Sequence, residues 1–160
     1  IELMQRVNAE TRVLARGPGE FNVTVEKERA FIEGVLADED GAWFTAEVGG
    51  RIVGNCSVGR VGRQKRFRHR ATIALSVEQA HCSLGIGSRF MQAAIDWCRS
   101  KGIEQLELEV AAKNEPGLRL YTKFGFEVTG RMPRALKYAD GDYDDLVAMV
   151  KPLGGTAAQA

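Results

Sequence analysis

Cys82-Ser83-Leu84-Gly85-Ile86-Gly87-Ser88 is the stretch whose reading decides the fold. It follows an apolar run, Ile73-Ala74-Leu75-Ser76-Val77, that reads as a strand. It opens a segment in which Phe90, Met91, Ala94, Ile95, Trp97 and Cys98 recur at helical spacing, and Gly102 ends it. A strand-turn-helix with two glycines at the turn lets backbone pass close to a ligand and leaves helix-start amides pointing outward. With the positive end of the helix dipole behind them, those amides suit a phosphate. Gly85 and Gly87 alone read equally well as a flexible helix start with no ligand.

Two other phosphate-binding patterns fail on specific residues. A P-loop needs a Lys directly after its last glycine, and Ser88 follows Gly87. A dinucleotide fold needs a third glycine where Phe90 stands. Glu107 falls at the distance that fold expects of its ribose-binding carboxylate, but strand-helix alternation does not continue.

Downstream, Gln105-Leu106-Glu107-Leu108-Glu109-Val110 alternates as a strand, followed by Asn114, a short helix and Leu120-Tyr121-Thr122-Lys123-Phe124-Gly125-Phe126. Here the chain resembles the GNAT superfamily of acyl-CoA-dependent N-acyltransferases. That family carries Arg/Gln-x-x-Gly-x-Gly/Ala after its fourth strand, then Asn, then Leu-Tyr-x-x-x-Gly-Phe. Gly85, Gly87, Asn114, Tyr121, Gly125 and Phe126 match in order. The resemblance is firm from Ile73 to Phe126, with one departure: Cys82 stands where the family has Arg or Gln.

Outward from this centre, two helical stretches, Glu2 to Ala15 and Val25 to Leu36, are joined through Gly17-Pro18-Gly19. Trp43 to Val48, the Gly49-Gly50 turn and Arg51 to Gly59 read as a hairpin, and Asp140-Gly141 marks a second whose return strand is Tyr143 to Val150. The expected fold is therefore α/β of the α+β type: a mixed, mostly antiparallel central sheet flanked by helices. One domain spans 1–153, and 154–160, small and polar, is expected to be a flexible tail. The resembling family has a strand before its first helices, so a native N-terminal strand is expected to precede Ile1.

Composition bounds the function. The 160 residues carry a net charge of +1, which gives no drive towards nucleic acid or membranes. No apolar run spans a bilayer. Cys56, Cys82 and Cys98 are odd in number and far apart, which argues for a reducing, cytoplasmic setting and against disulfides. They lack zinc spacing with His69 and His81, so no metal is expected.

The resemblance implies acetyl-CoA as cosubstrate. It implies that the backbone of Leu75, Ser76 and Val77 pairs with the pantetheine arm, and that Val77 or a neighbour donates to the thioester oxygen. Small side chains at Ala74 and Ser76 allow close approach on one face. The pyrophosphate falls to the turn Cys82, Ser83, Leu84, Gly85, Ile86, Gly87 and Ser88. Tyr121 is the expected acid that protonates the departing thiolate. Asn114 matches a pantetheine-binding residue, and by itself it reads equally as a helix N-cap ahead of Pro116.

For the base, alternation puts Glu107 and Glu109 on one face of their strand. Leu108-Glu109-Val110 resembles the Leu-Glu-Val of the ribosomal-protein alanine acetyltransferases, which selects Glu109. A base matters most for an alkylamine, since stripping its proton at pH 7 costs more than about 4 kcal/mol. Arg60, Arg63, Lys65, Arg66, Arg68 and Arg70 form the one dense charge cluster, read as a solvated face or as a site for a ribose phosphate or substrate carboxylate. Glu20, Asp140, Asp142, Asp144 and Asp145 are turn and surface residues that could draw a cationic amine.

The expected function is acetyl transfer to a primary amine of a small molecule or amino acid. The alternatives are a ribosomal-protein N-terminal acetyltransferase, a non-catalytic acyl-CoA-binding module and, more remotely, a nucleic-acid binder using the basic run. Homodimers are common in the family the chain resembles.

Overall fold

The computed structural model describes residues 1–154. Helices α1 (Glu2–Glu10) and α2 (Val25–Ala37) precede strands β1 (Gly41–Val48), β2 (Arg51–Arg60) and β3 (Arg70–Val77). Then come α3 (Ile86–Ser100), β4 (Gln105–Ala111), α4 (Glu115–Lys123), β5 (Glu127–Lys137) and β6 (Tyr143–Pro152). The six strands form one sheet in the order β1-β2-β3-β4-β6-β5, antiparallel except for β3 with β4. The expected mixed, mostly antiparallel sheet with flanking helices is the observed architecture.

Local chemistry explains most boundaries. Thr24 caps α2 by accepting the Lys27 N–H at 3.3 Å, and Asn114 caps α4 by accepting the Gly117 N–H at 3.0 Å. Gly49 and Gly50, at φ 58° and 77°, make the two-residue hairpin turn. At the end of α4, Gly125 (φ 80°) lets the Phe126 N–H return to the Tyr121 carbonyl at 3.0 Å and swings the chain into β5.

α1 departs from expectation: it ends at Glu10, not Ala15. Thr11 is extended (φ −139°, ψ 145°), and Arg12 leaves the helix to pair with Asp140 and Asp142 of the β5–β6 turn. The last turn of α1 carries no basic residue to favour its continuation, and the exposed pairs made by Arg12 accompany the change of direction rather than force it. Of the expected tail, all but Gly154 lies outside the described residues.

The core lies between the sheet and α3–α4. Phe90, Met91, Ala94, Ile95 and Cys98 of α3 meet Ile73, Leu106, Leu108, Val110 and Met149. Burying side chains of this size contributes roughly 1.5–3 kcal/mol each. α1 and α2 cover the opposite face. α2 buries no residue; Phe31 meets Trp43 of β1 edge to face at 5.7 Å.

Candidate active site

The parallel pairing of β3 with β4 is short. It runs over Arg70–Gln105, Ala71–Leu106 and Thr72–Glu107 and then stops. β3 continues to Val77 and β4 to Ala111, so their far halves share no ladder. β2 holds one edge of Leu75, Ser76 and Val77, through Cys56, Asn55 and Gly54. The other edge faces a gap in the middle of the sheet, with backbone polar groups that need a partner.

At the end of β3 the chain turns through Gln79–His81 into the phosphate-type loop. Ser83 (φ 65°) and Gly85 (φ 84°) are both left-handed, a conformation that costs Ser83 strain. Helix α3 starts its ladder with the Arg89 N–H to the Gly85 carbonyl at 3.0 Å. The amides of Ile86, Gly87 and Ser88 therefore have no acceptor within the helix. The two glycines serve different ends. A Cβ on Gly85 would meet nothing within 4 Å, so its backbone angle is the reason for glycine, and the loop is open above it. A Cβ on Gly87 would sit 3.1 Å from Leu120 Cδ2, so that glycine lets α4 close on α3. Cys82 and Leu84 are exposed on the same loop, and the Cys82 thiol points back to the Glu78 carbonyl at 3.5 Å.

Burial pattern assigns each candidate to a face. Tyr121 is buried within the α3–α4 core, 6.0 Å from the Phe126 ring. Burial, with a lesser push from Cys56, raises its phenol to about 12, so the proton stays on throughout the neutral range. Glu109 is exposed on the opposite, α1–α2 face. It lies two residues past the last parallel pair, and continuing that register sets it across the gap from exposed Ala74.

Its neighbour Glu107 is engaged elsewhere. Arg70 grips both carboxylate oxygens, one at 2.7 Å, and Gln105 donates at 2.8 Å. The Arg70 hydrogen bond outweighs burial and holds Glu107 below the usual carboxylate range. The two carboxylates that alternation could not separate thus differ: Glu107 is a structural counterion, and Glu109 makes no side-chain bond among the described residues.

Several expectations change. The Ser76 side chain is not a small open surface: it is buried under α1, donates to Asn55 Oδ1 at 2.5 Å and lies 3.8 Å from Met4 Sδ. Asn114 spends its side chain on the α4 cap. The acidic loop residues are paired internally: Glu20 accepts the Gly17 N–H, Asp142 meets Lys113 at 2.5 Å, buried Asp144 accepts from Lys113 N–H and Tyr138 OH, and Asp145 binds Arg131. In the basic run Arg60 and Arg68 share Asp40.

Sequence reading missed Glu78, the residue that fixes the loop's start. It is 2% exposed and bound by Arg6 of α1 and by Arg51 at 2.7 Å, with His81 Nδ1 3.3 Å away but making no hydrogen bond to it. Burial raises its pKa, but Arg6, Arg51 and His81 together overcome this and hold it low. Its partners are 72 and 27 positions away, and no local pattern announces them.

The acetyltransferase (GNAT) family model matches residues 8–126, and the chain belongs to that family, whose members use acetyl-CoA. An L-amino acid N-acetyltransferase from Escherichia coli strain K12 is 30% identical over 120 residues, covering 72% of each chain. An L-methionine sulfoximine/L-methionine sulfone acetyltransferase from Pseudomonas paraeruginosa is 25% identical over 105 residues, covering 58% of this chain and 61% of that one. The crystal structure of a GNAT-family acetyltransferase from Streptococcus pneumoniae superposes with a TM-score of 0.88 at 25% identity, over 96% of this chain and 91% of the other. No helix among the described residues is long and apolar enough to cross a membrane.

Proposed function

We propose that this acetyltransferase moves acetyl from acetyl-CoA directly to the primary amine of a small molecule, with free amino acids as the leading acceptor class. The observation that carries the reading is the gap between β3 and β4, with Tyr121 on one face of the sheet and Glu109 on the other. Amino-acid acceptors are favoured by the two curated relatives above.

The loop fits the cosubstrate: open amides at Ile86, Gly87 and Ser88, a left-handed Gly85 and clear space above it suit a pyrophosphate. Cys82, Ser83 and Leu84 complete that turn. The free edge of Leu75, Ser76 and Val77 offers the pantetheine amides a strand to pair with, and a Val77 N–H is suited to the thioester oxygen. Asn114, already capping α4, adds at most its remaining amide donor there. Acetyl-CoA supplies an acyl carbon activated by a thiolate leaving group. Glu109, directly or through water, takes the proton that the amine loses as its nitrogen bonds to that carbon. Tyr121 gives its proton to the sulfur as the C–S bond breaks, and solvent returns the proton from Glu109 to Tyr121.

The test is thermal stabilisation by acetyl-CoA, with CoA and NAD beside it, then an amine screen. A ligand at a hundred times its dissociation constant adds about 2.7 kcal/mol. A shift with acetyl-CoA and none with NAD supports the reading, and no shift with acetyl-CoA ends it. A second reading, N-terminal acetylation of a ribosomal protein, has Leu108-Glu109-Val110 in its favour. Preference for an alanine-starting peptide over free amino acids would select it.

A further inference from the structure

Thr72 and Ala74 lie on the third of six strands, yet both are exposed on the α1–α2 face. Two residues further on, Ser76 is buried and Met4 of α1 seats on it. A cavity of about 410 Å³ stands over the exposed pair, lined also by Ser57 of β2, Trp43 of β1, and Phe31 and Val35 of α2. That volume is within the roughly 300–1,000 Å³ of small-ligand sites. A larger cavity of about 720 Å³, between α1, α2 and the β1–β2 hairpin, touches no residue of β3.

Strand register makes the floor of the smaller cavity continuous with the reaction gap. Trp43 pairs with Ser57 and Ser57 with Ala74, so the three side chains form one row on a single face of β1, β2 and β3. Ala74 ends the row at the gap, in the register position that faces Glu109. Along the row the side chains shrink towards the gap, from an indole to a hydroxymethyl to a methyl. Phe31 meets Trp43 edge to face and is still 53% exposed, with Val35 one turn further along α2. An apolar group laid on Ser57 and Ala74 would cover that exposed aromatic wall. Of the charged residues at the rim, Asp40 holds Arg60 at 2.7 Å and Asp38 accepts the Asp40 N–H at 2.9 Å. Arg63 has no ion pair among the described residues, which suits an acceptor that carries a carboxylate.

We propose that this cavity is the side-chain pocket of the acceptor site. With the reacting amine between Ala74 and Glu109, the acceptor's side chain lies over Ser57 against Trp43 and Phe31, which selects amino acids with a bulky apolar side chain. This rests on the acetyl-transfer reading above.

The test is steady-state kinetics with free L-alanine, L-leucine and L-phenylalanine, which share the amine and carboxylate and differ in the side chain. An apolar pocket discriminates a single methylene by about 10-fold or more, so wild-type kcat/KM should be at least about tenfold higher for leucine or phenylalanine than for alanine. Ser57→Leu fills the floor, and Phe31→Ala removes part of the wall from a helix that buries no residue. Each should lower the phenylalanine-to-alanine ratio of kcat/KM by about tenfold and keep the acetyl-CoA thermal shift. A wild-type preference below about twofold overturns the proposal, as does a ratio within about twofold of wild type in either variant that keeps the shift. Phe31→Ala decides alone if Ser57→Leu loses the shift. A wild-type protein that acetylates no amine overturns the functional reading and this inference together, which separates that failure from the others.

Discussion

The two faces of the sheet are held by different forces. The α3–α4 face is a continuous apolar contact that gathers residues from Cys56 of β2 to Met149 of β6, with five buried residues on α3 alone. The α1–α2 face is joined by long-range polar links: Arg6 to Glu78, Met4 to Ser76, Arg12 to the 140–142 turn, while α2 buries nothing. The contrast fits the division of labour proposed above, in which backbone amides on a rigid frame serve a cosubstrate common to the family, and side chains on elements that can be retuned without disturbing the core serve the acceptor.

Breaking the chemistry at the α3–α4 face has the largest expected effect. Tyr121→Phe keeps the packing and removes the proton, so turnover falls about 100-fold or more while the acetyl-CoA thermal shift is retained. Turnover equal to wild type, measured as CoA release, would remove Tyr121 from the reaction.

Glu109→Gln probes the other face. Turnover of an alkylamine at pH 7 should drop by about 10-fold to 100-fold, and the deficit should shrink as pH rises towards the amine's own pKa of about 10. A deficit that is flat with pH would mean that Glu109 binds rather than accepts a proton.

Glu78→Gln cuts the polar link between α1 and the end of β3. The Glu78 pKa is lowered on folding, so its ion pairs stabilise above the ordinary carboxylate value of 4.5 and fade as pH falls through the lower folded value. The variant should melt below wild type at pH 7, and the two should converge in acid. A midpoint difference that persists undiminished at low pH would assign the effect to packing instead.

The smallest effects separate the two glycines. Gly85→Ala forces a side chain into the left-handed region and costs about 1 kcal/mol, a drop of about 2–4 °C in Tm. Gly87→Ala presses a Cβ on the movable end of Leu120 and should cost less. A larger loss at Gly87 would show that the α3–α4 contact cannot give way.

The sequence was most readable where structure is local. From Ile73 to Phe126, alternation, helical spacing and the left-handed Gly85 reflect geometry within a few residues, and those elements appear where spacing sets them. Legibility failed where a distant partner decides. The helical stretch expected to reach Ala15 ends at Glu10, and Arg12 beyond it pairs with Asp140 and Asp142, 128 and 130 positions away. Ser76 looked like an open small residue until α1 folded over it. Glu107 and Glu109 were equivalent by alternation, and Arg70, 37 positions earlier, made them different. Glu78 has no periodic or spacing signal at all, since what marks it is burial.

The three-position ladder between β3 and β4 also divides the amide protons of one strand into two populations. In hydrogen–deuterium exchange, β3 amides directed at β2 are locked in a ladder and exchange only when the sheet opens. Beyond Thr72, those directed at the gap have no strand partner and exchange like loop amides, although they sit at the middle of the sheet. Residue-resolved labelling of Ile73–Val77 would show fast and slow sites alternating along a single strand, and acetyl-CoA would slow the fast ones alone.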